Sequence, residues 1–293
     1  HDKKIEQITR QLIVDLKNDG SPDQVFSNLG PYASELIEPQ LKKGFSHLKL
    51  GEKRDALTQF LKVLHLVRVT EGLYSKNQKT IIRHVQAVYY LLKDFKAIDQ
   101  TYEYLFHLNG GERSLSDRSK FEFILEYLQW RRNFIIEDLE AKKEDLLGLY
   151  ELNNRLLDEV NSNKDLSLEW GVQLSISQLS NLYLIFDIFG DSLGGKEIIF
   201  RDEFNSIDYR YGQSKSQRLT ALAGEATSTG RRLLEKKISN PKLDRVNRFY
   251  LQIALGDWFQ WQKRSRIANR YYREAYLLSA GLNDTKLKNF FST

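Results

Sequence analysis

The residues that could carry chemistry fall into three sets: a glycine-lysine string, five histidines and a dense basic run. Gly190-Asp191-Ser192-Leu193-Gly194-Gly195-Lys196-Glu197 has the glycine and lysine spacing of a phosphate-binding loop and follows an apolar run from Leu179 to Phe189. Such a loop needs a Ser or Thr hydroxyl after its lysine to hold Mg²⁺. Glu197 stands there instead, where a carboxylate would repel phosphate. The preceding run is long and leucine-rich, more helix than strand, so a turn after a helix is the better account of the string.

The histidines are His1, His47, His65, His84 and His107. None forms a His-x-x-x-His pair, and none stands beside a carboxylate at the usual metal-ligand spacing. Each internal one falls within a predicted helix, where a half-buried structural histidine is the expectation. The paired carboxylates Glu137-Asp138 and Glu144-Asp145 sit in a highly charged stretch and read as a solvated face. The chain has no cysteine, which removes disulfides, thiolate metal sites and cysteine nucleophiles. The expectation is therefore no enzyme activity, no metal, no cofactor and no small-molecule substrate.

Charge is spread unevenly. Between Arg231 and Arg273 stand twelve basic residues against Glu235, Asp244 and Asp257, an excess of nine cations in a chain whose overall charge is +5. Arg231, Arg232, Arg264, Arg266 and Arg270 are the candidate basic patch, with Trp258, Trp261, Tyr271 and Tyr272 interleaved. Such a patch could meet phosphates or an acidic protein. The plainer alternative is that these arginines flank an apolar stripe and solvate two helices. No RNA- or DNA-binding motif accompanies them, so nucleic acid is not the expected partner.

The elements that must position these residues are helices. Hydrophobic residues make up 41% of the 293 residues and charged ones 28%, a balance that suits many amphipathic helices. Only Pro22, Pro31, Pro39 and Pro241 occur, and interior proline costs a helix about 3 kcal/mol. Ile5, Ile8, Leu12, Ile13 and Leu16 mark a first helix that stops near Asp19-Gly20. Further helices are predicted over 33–50, 53–71, 77–92, 95–109, 117–133 and 135–160, then 167–188, 214–237, 244–261 and 264–280. Short links such as Leu50-Gly51-Glu52 and Asn109-Gly110-Gly111 make neighbours antiparallel, so the chain reads as a series of helical hairpins. Residues 190–212 form the least regular stretch and the expected break between an N-terminal repeat region, 1–189, and a C-terminal one, 213–293. No run reaches the ~18 to 20 apolar residues of a membrane span.

Within these hairpins a repeat signature appears. Leu255-Gly256, Phe259, Ala268, Tyr272 and Ala275 follow the spacing of the tetratricopeptide pattern, so the hairpin 249–278 resembles that family. A second copy carries Gly44, Ala56 and Phe60 with Gly51 at the turn, and places His47 at the aromatic slot. A third carries Val85, Tyr89, Asp94-Phe95, Ile98, Tyr102 and Leu105. The clear hairpins thus lie over 37–109 and 249–278, while 115–240 keeps only the helical period. The wording around 65–75 and the Leu255–Trp258 stretch is also similar to tetratricopeptide proteins of proteobacteria with no assigned activity.

The resemblance implies an all-α solenoid, a right-handed superhelix of antiparallel hairpins whose first helices line a concave groove. The groove residues would be Leu41, Phe45 and Leu48, then Arg83, Ala87 and Tyr90, then Ile253, Asp257 and Trp261. Packing between repeats is the competing role for each aromatic. The implied function is a non-catalytic scaffold that holds a peptide or helix of another protein. Family members that clamp a chaperone's terminal carboxylate use Lys, Asn and Arg on this face; Leu41 and Phe45 occupy two of those places, which argues against that role. The second expectation is an anionic polymer or membrane surface bound through 231–273. A start at His1 and the lack of cysteine lean the expected compartment to the bacterial periplasm over the cytoplasm.

Overall fold

The computed structural model describes residues 33–111, 115, 117–137, 145–163, 165–189 and 215–279. The predicted first helix, the 190–212 connection, the glycine-lysine string and the tail after Ser279 lie outside the described residues. Those that are described form ten helices and no strand: α1 (Ala33–Leu50), α2 (Lys53–Glu71), α3 (Gln78–Leu92), α4 (Phe95–Leu108), α5 (Arg118–Ile136), α6 (Asp145–Ser162), α7 (Leu168–Phe189), α8 (Lys215–Ile238), α9 (Arg245–Trp261) and α10 (Ser265–Ser279). The fold is all-α, and each helix packs mainly on its neighbours in sequence. The helix predicted over 135–160 is the one that moves. α5 runs on to Ile136, with Ile135 fully buried, and the next described helix is Asp145–Ser162, residues 138–144 lying outside the described ones.

Local chemistry fixes the ends. Asp94, Asp117 and Asp244 each cap a helix N-terminus, their carboxylates accepting from the backbone N–H three residues on, at 3.0, 2.8 and 2.9 Å. Each such cap satisfies a donor that the helix itself leaves open. Between α1 and α2, Gly51 takes φ +81°, the left-handed conformation that only glycine adopts without strain. The chain divides into two compact units, His1–Arg113 and Ser114–Thr293.

In the first unit α1 packs on α2, α2 on α3, and α3 on α4. The core is Ala56, Phe60, Val63 and Val67 of α2 against Ile81, Val85 and Ile98, all essentially inaccessible. At the α1–α2 crossing a Cβ on Gly44 would stand 2.7 Å from the Phe60 ring, so the glycine is a condition of the contact. The α2–α3 loop is strapped from within. Gln78, fully buried, donates Nε2 to the Leu73 carbonyl at 2.8 Å and accepts at Oε1 from Arg68 Nε at 2.9 Å and Tyr104 OH at 2.7 Å. The Arg68 guanidinium lies 4.7 Å above the Tyr104 ring, and Glu71 accepts from Ser75 Oγ and Asn77 Nδ2 at 2.6 and 2.8 Å.

In the second unit α5, α6 and α7 pack mutually, and α7 continues onto α8 and α9. A polar layer crosses the first three. Arg132 of α5 donates to the Ser177 carbonyl and to Asn181 Oδ1 at 3.0 and 2.8 Å, while Gln178 donates to the Tyr150 carbonyl at 3.1 Å. The pair α9–α10 packs extensively, and here too glycines sit under rings. A Cβ on Gly256 would enter the Tyr272 ring, and one on Gly230 of α8 would enter the Trp258 indole. Alanine favours helix over glycine by about 1 kcal/mol. Gly256→Ala is nevertheless expected to lower stability by about 1–3 kcal/mol in urea unfolding, because overpacking outweighs propensity. In the Tyr272→Ala background the same change should turn neutral or stabilising.

Candidate functional site

The predicted groove residues divide by burial. Leu41 is fully buried and Ala87 nearly so; both are core residues and present no surface. Phe45, Leu48, Arg83 and Tyr90 are half-buried. Phe45 packs edge-on against Phe60 and against His84, with ring centroids 5.3 and 5.1 Å apart. Arg83 donates to Gln86 Oε1 at 3.0 Å and lies 5.7 Å from the Tyr102 ring centre.

In the second unit Ile253 leans on the Phe249–Ala275 contact, and Asp257 is exposed, accepting from Tyr272 OH at 2.8 Å. Trp261 is enclosed on three sides, with Tyr183, Phe186 and Trp258 rings 4.8, 4.8 and 4.9 Å away. Burial, with Asp257, Tyr272 and Asp187 nearby, holds the Tyr183 hydroxyl far above its ordinary range. Tyr272 is raised in the same way by burial and its bond to Asp257. Both phenols are held neutral near neutral pH, and Tyr272 serves there as a hydrogen-bond donor to Asp257.

The basic run is partly consumed by structure. Arg248 donates to the Ile238 and Asn240 carbonyls at 3.1 and 3.2 Å, closing the end of α8. Arg245 donates to the Leu278 carbonyl at 2.9 Å near the end of α10, and Lys237 bonds Asn161 Oδ1. Cations at a helix C-terminus also complement its dipole. Arg231 pairs with Glu235 and Arg270 with Glu274 four residues on. Arg232, Arg264 and Arg266 are exposed.

The turn at Gly51 assembles something the spacing hides. His47 Nδ1, Glu52 and Asp55 bring ligand atoms within 4.8 Å of one another, and His47 Nδ1 lies 2.6 Å from Glu52 Oε2. That contact already occupies Nδ1 of the imidazole. The string 190–197 lies outside the described residues, but α7, which leads into it, is helical to Phe189. A phosphate loop needs a strand before it, as does a nucleophile elbow of the Gly190-x-Ser192-x-Gly194 spacing. Neither context is met.

His84 is the group the sequence underrates. Part of the residue reaches the surface, yet both ring nitrogens are buried without a hydrogen-bond partner between Phe45 and Phe60. Desolvation pulls its pKa down to about 4. Arg132 is a second, brought down to about 10 by burial among neutral acceptors. Its signal in the sequence is faint: Ser177, Gln178 and Asn181 at helical spacing along an otherwise apolar run. No family model, curated protein or solved structure matches the chain.

The depressed pKa of His84 makes stability pH-dependent. The unfolded imidazole titrates near 6.5, so between that value and about 4 the unfolded chain holds more protons than the folded one. Stability present above pH 6.5 is therefore expected to fall as pH drops toward 4, by on the order of 3 kcal/mol for this group. His84→Leu should raise stability at pH 7 and flatten the slope between pH 6.5 and 4; an unchanged slope in urea titrations would assign it elsewhere.

Proposed function

We propose that the protein is a non-catalytic interaction scaffold of tetratricopeptide-like hairpins, taking a peptide or helix of a partner protein on the outer face of their first helices. The observation that carries this reading is the outer face of α9. At 100° per residue, Val246, Tyr250, Ile253, Asp257 and Trp261 fall together, opposite buried Leu251, Leu255 and Trp258. A surface helix should be polar there. Instead Val246 is 40% and Tyr250 45% exposed, next to the partly open Trp261. Exposed apolar surface with aromatic anchors and one acid suits a partner with apolar anchors. The glycine-under-ring contacts support the repeat reading, since close helix crossing is what the small residues of that pattern provide.

A second reading rests on α10. Arg266, Arg270 and Arg273 lie on one face, opposite buried Ala268 and Ala275, and Arg264 precedes them. This stripe suits an anionic polymer or membrane surface, nucleic acid less so. Salt separates the two readings, since contacts to a polyanion weaken steeply with ionic strength.

Peptides selected from a displayed library against the whole chain are expected to bind with affinity nearly independent of salt. Trp261→Ala and Tyr250→Ala should each weaken that binding at least tenfold, read by fluorescence anisotropy. Reversal of Arg264, Arg266 and Arg270 to Glu should leave it unchanged. Salt-sensitive retention on heparin, lost with that triple reversal, together with indifference to Trp261→Ala, would favour the α10 stripe instead.

A further inference from the structure

The second unit holds a cation that no carboxylate answers. Arg132 of α5 lies against α7, and among the described residues a single nitrogen makes all of its hydrogen bonds. Nη1 donates to the Ser177 carbonyl at 3.0 Å, to Ser177 Oγ at 3.1 Å and to Asn181 Oδ1 at 2.8 Å. All three acceptors are neutral. No carboxylate of the described residues stands in ion-pair reach, whereas the neighbouring Arg131 pairs with Asp145 at 3.4 Å. Taking a guanidinium out of water without a counter-ion is costly, and the buried ions that proteins keep are paired. Desolvation alone lowers the pKa of Arg132, with no nearby charge to offset it. At about 10 that value still leaves the group positive at neutral pH.

The unused nitrogens are Nε and Nη2. They share one edge of the planar fork, the edge whose two N–H bonds can meet both oxygens of one carboxylate. Neither nitrogen is sealed inside the protein. The three bonds on Nη1 fix the plane of the guanidinium, so the open edge is already oriented. Such preorganisation lowers the ordering cost of binding.

We propose that the Nε–Nη2 edge of Arg132 binds the carboxylate of a small organic acid. Charge decides the class. A single cation, with Arg131 answered by Asp145, matches a monoanion; a phosphate dianion would leave a desolvated negative charge over. Chloride is a point charge and cannot present two oxygens to the fork. The site belongs to the helices between 115 and 240, which carry no repeat signature, and does not depend on a peptide bound to α9.

The test follows the Arg132 Nε–H resonance of the ¹⁵N-labelled chain during titration with acetate, chloride being exchanged to hold ionic strength constant. That resonance is identified by its loss in Arg132→Lys, which keeps the charge and removes the fork. Should that variant not fold, cross-relaxation with the Asn181 side-chain amide identifies it in the unmodified chain. The resonance is expected to move downfield and saturate, with acetate about tenfold or more tighter than phosphate or chloride. The thermal midpoint should rise with acetate by mass action, and not in Arg132→Lys. A resonance indifferent to acetate overturns the proposal. So does one that follows phosphate or chloride equally, which is an unspecific anion effect, or a thermal shift that persists in Arg132→Lys. A response that appears only after Asp138→Asn, Glu140→Gln and Glu144→Gln also overturns it, because an acid of the chain itself then holds the edge.

Discussion

Three ring-under-glycine contacts set the spacing of the helices: Phe60 over Gly44, Trp258 over Gly230 and Tyr272 over Gly256. A Cβ at any of the three would meet ring carbons inside contact distance, so the crossings exist only because the side chain is missing. Each ring then does further work. Phe60 closes one side of His84, Trp258 donates to the Thr227 carbonyl at 3.1 Å, and Tyr272 binds Asp257. What the chain presents on the outer faces of α2, α9 and α10 follows from which residues those crossings turn inward.

Buried polar groups are used in two opposed ways. Gln78 is surrounded by acceptors and donors, Arg132 spends Nη1 on three acceptors, and each ties together elements distant in sequence. A satisfied network in a low-dielectric interior rigidifies what it joins, which is how the α2–α3 loop can hold Leu73 and Tyr74 outward. His84 has no such partners. Its two nitrogens forfeit solvation without recovering a hydrogen bond, and the ring stays only because it is neutral and flanked by phenyl faces.

The basic third of the chain is less a charged patch than its composition implies. Arg245, Arg248 and Lys237 spend their donors on carbonyls at helix ends or on an asparagine, and Arg231 and Arg270 face carboxylates one turn away. Exposed i,i+4 pairs contribute only a few tenths of a kcal/mol, but each sets a carboxylate beside its arginine. What remains outward is the narrower stripe on α10.

The helical class, the element order and nearly every helix boundary were legible in the sequence. Hydrophobic period and capping aspartates act over a turn or two and need no distant partner. The repeat spacing also picked out Gly44, Phe60, Gly256 and Tyr272 as a matched set, since a small residue and a ring at fixed offsets are meaningful within one hairpin. Only the tertiary structure separated Leu41 and Ala87, which are core, from Trp261 and Tyr250, which keep surface, because periodicity marks a face without saying what covers it. Only it brought His47 to Glu52 and Asp55, or left His84 without a partner, for those facts depend on how a turn folds back and on which side chains a third helix supplies. The chemistry that could be read first in the sequence, the glycine-lysine string, is preceded by a helix. The surfaces that matter are set by which residues the crossings bury, and that is a property of the packed chain.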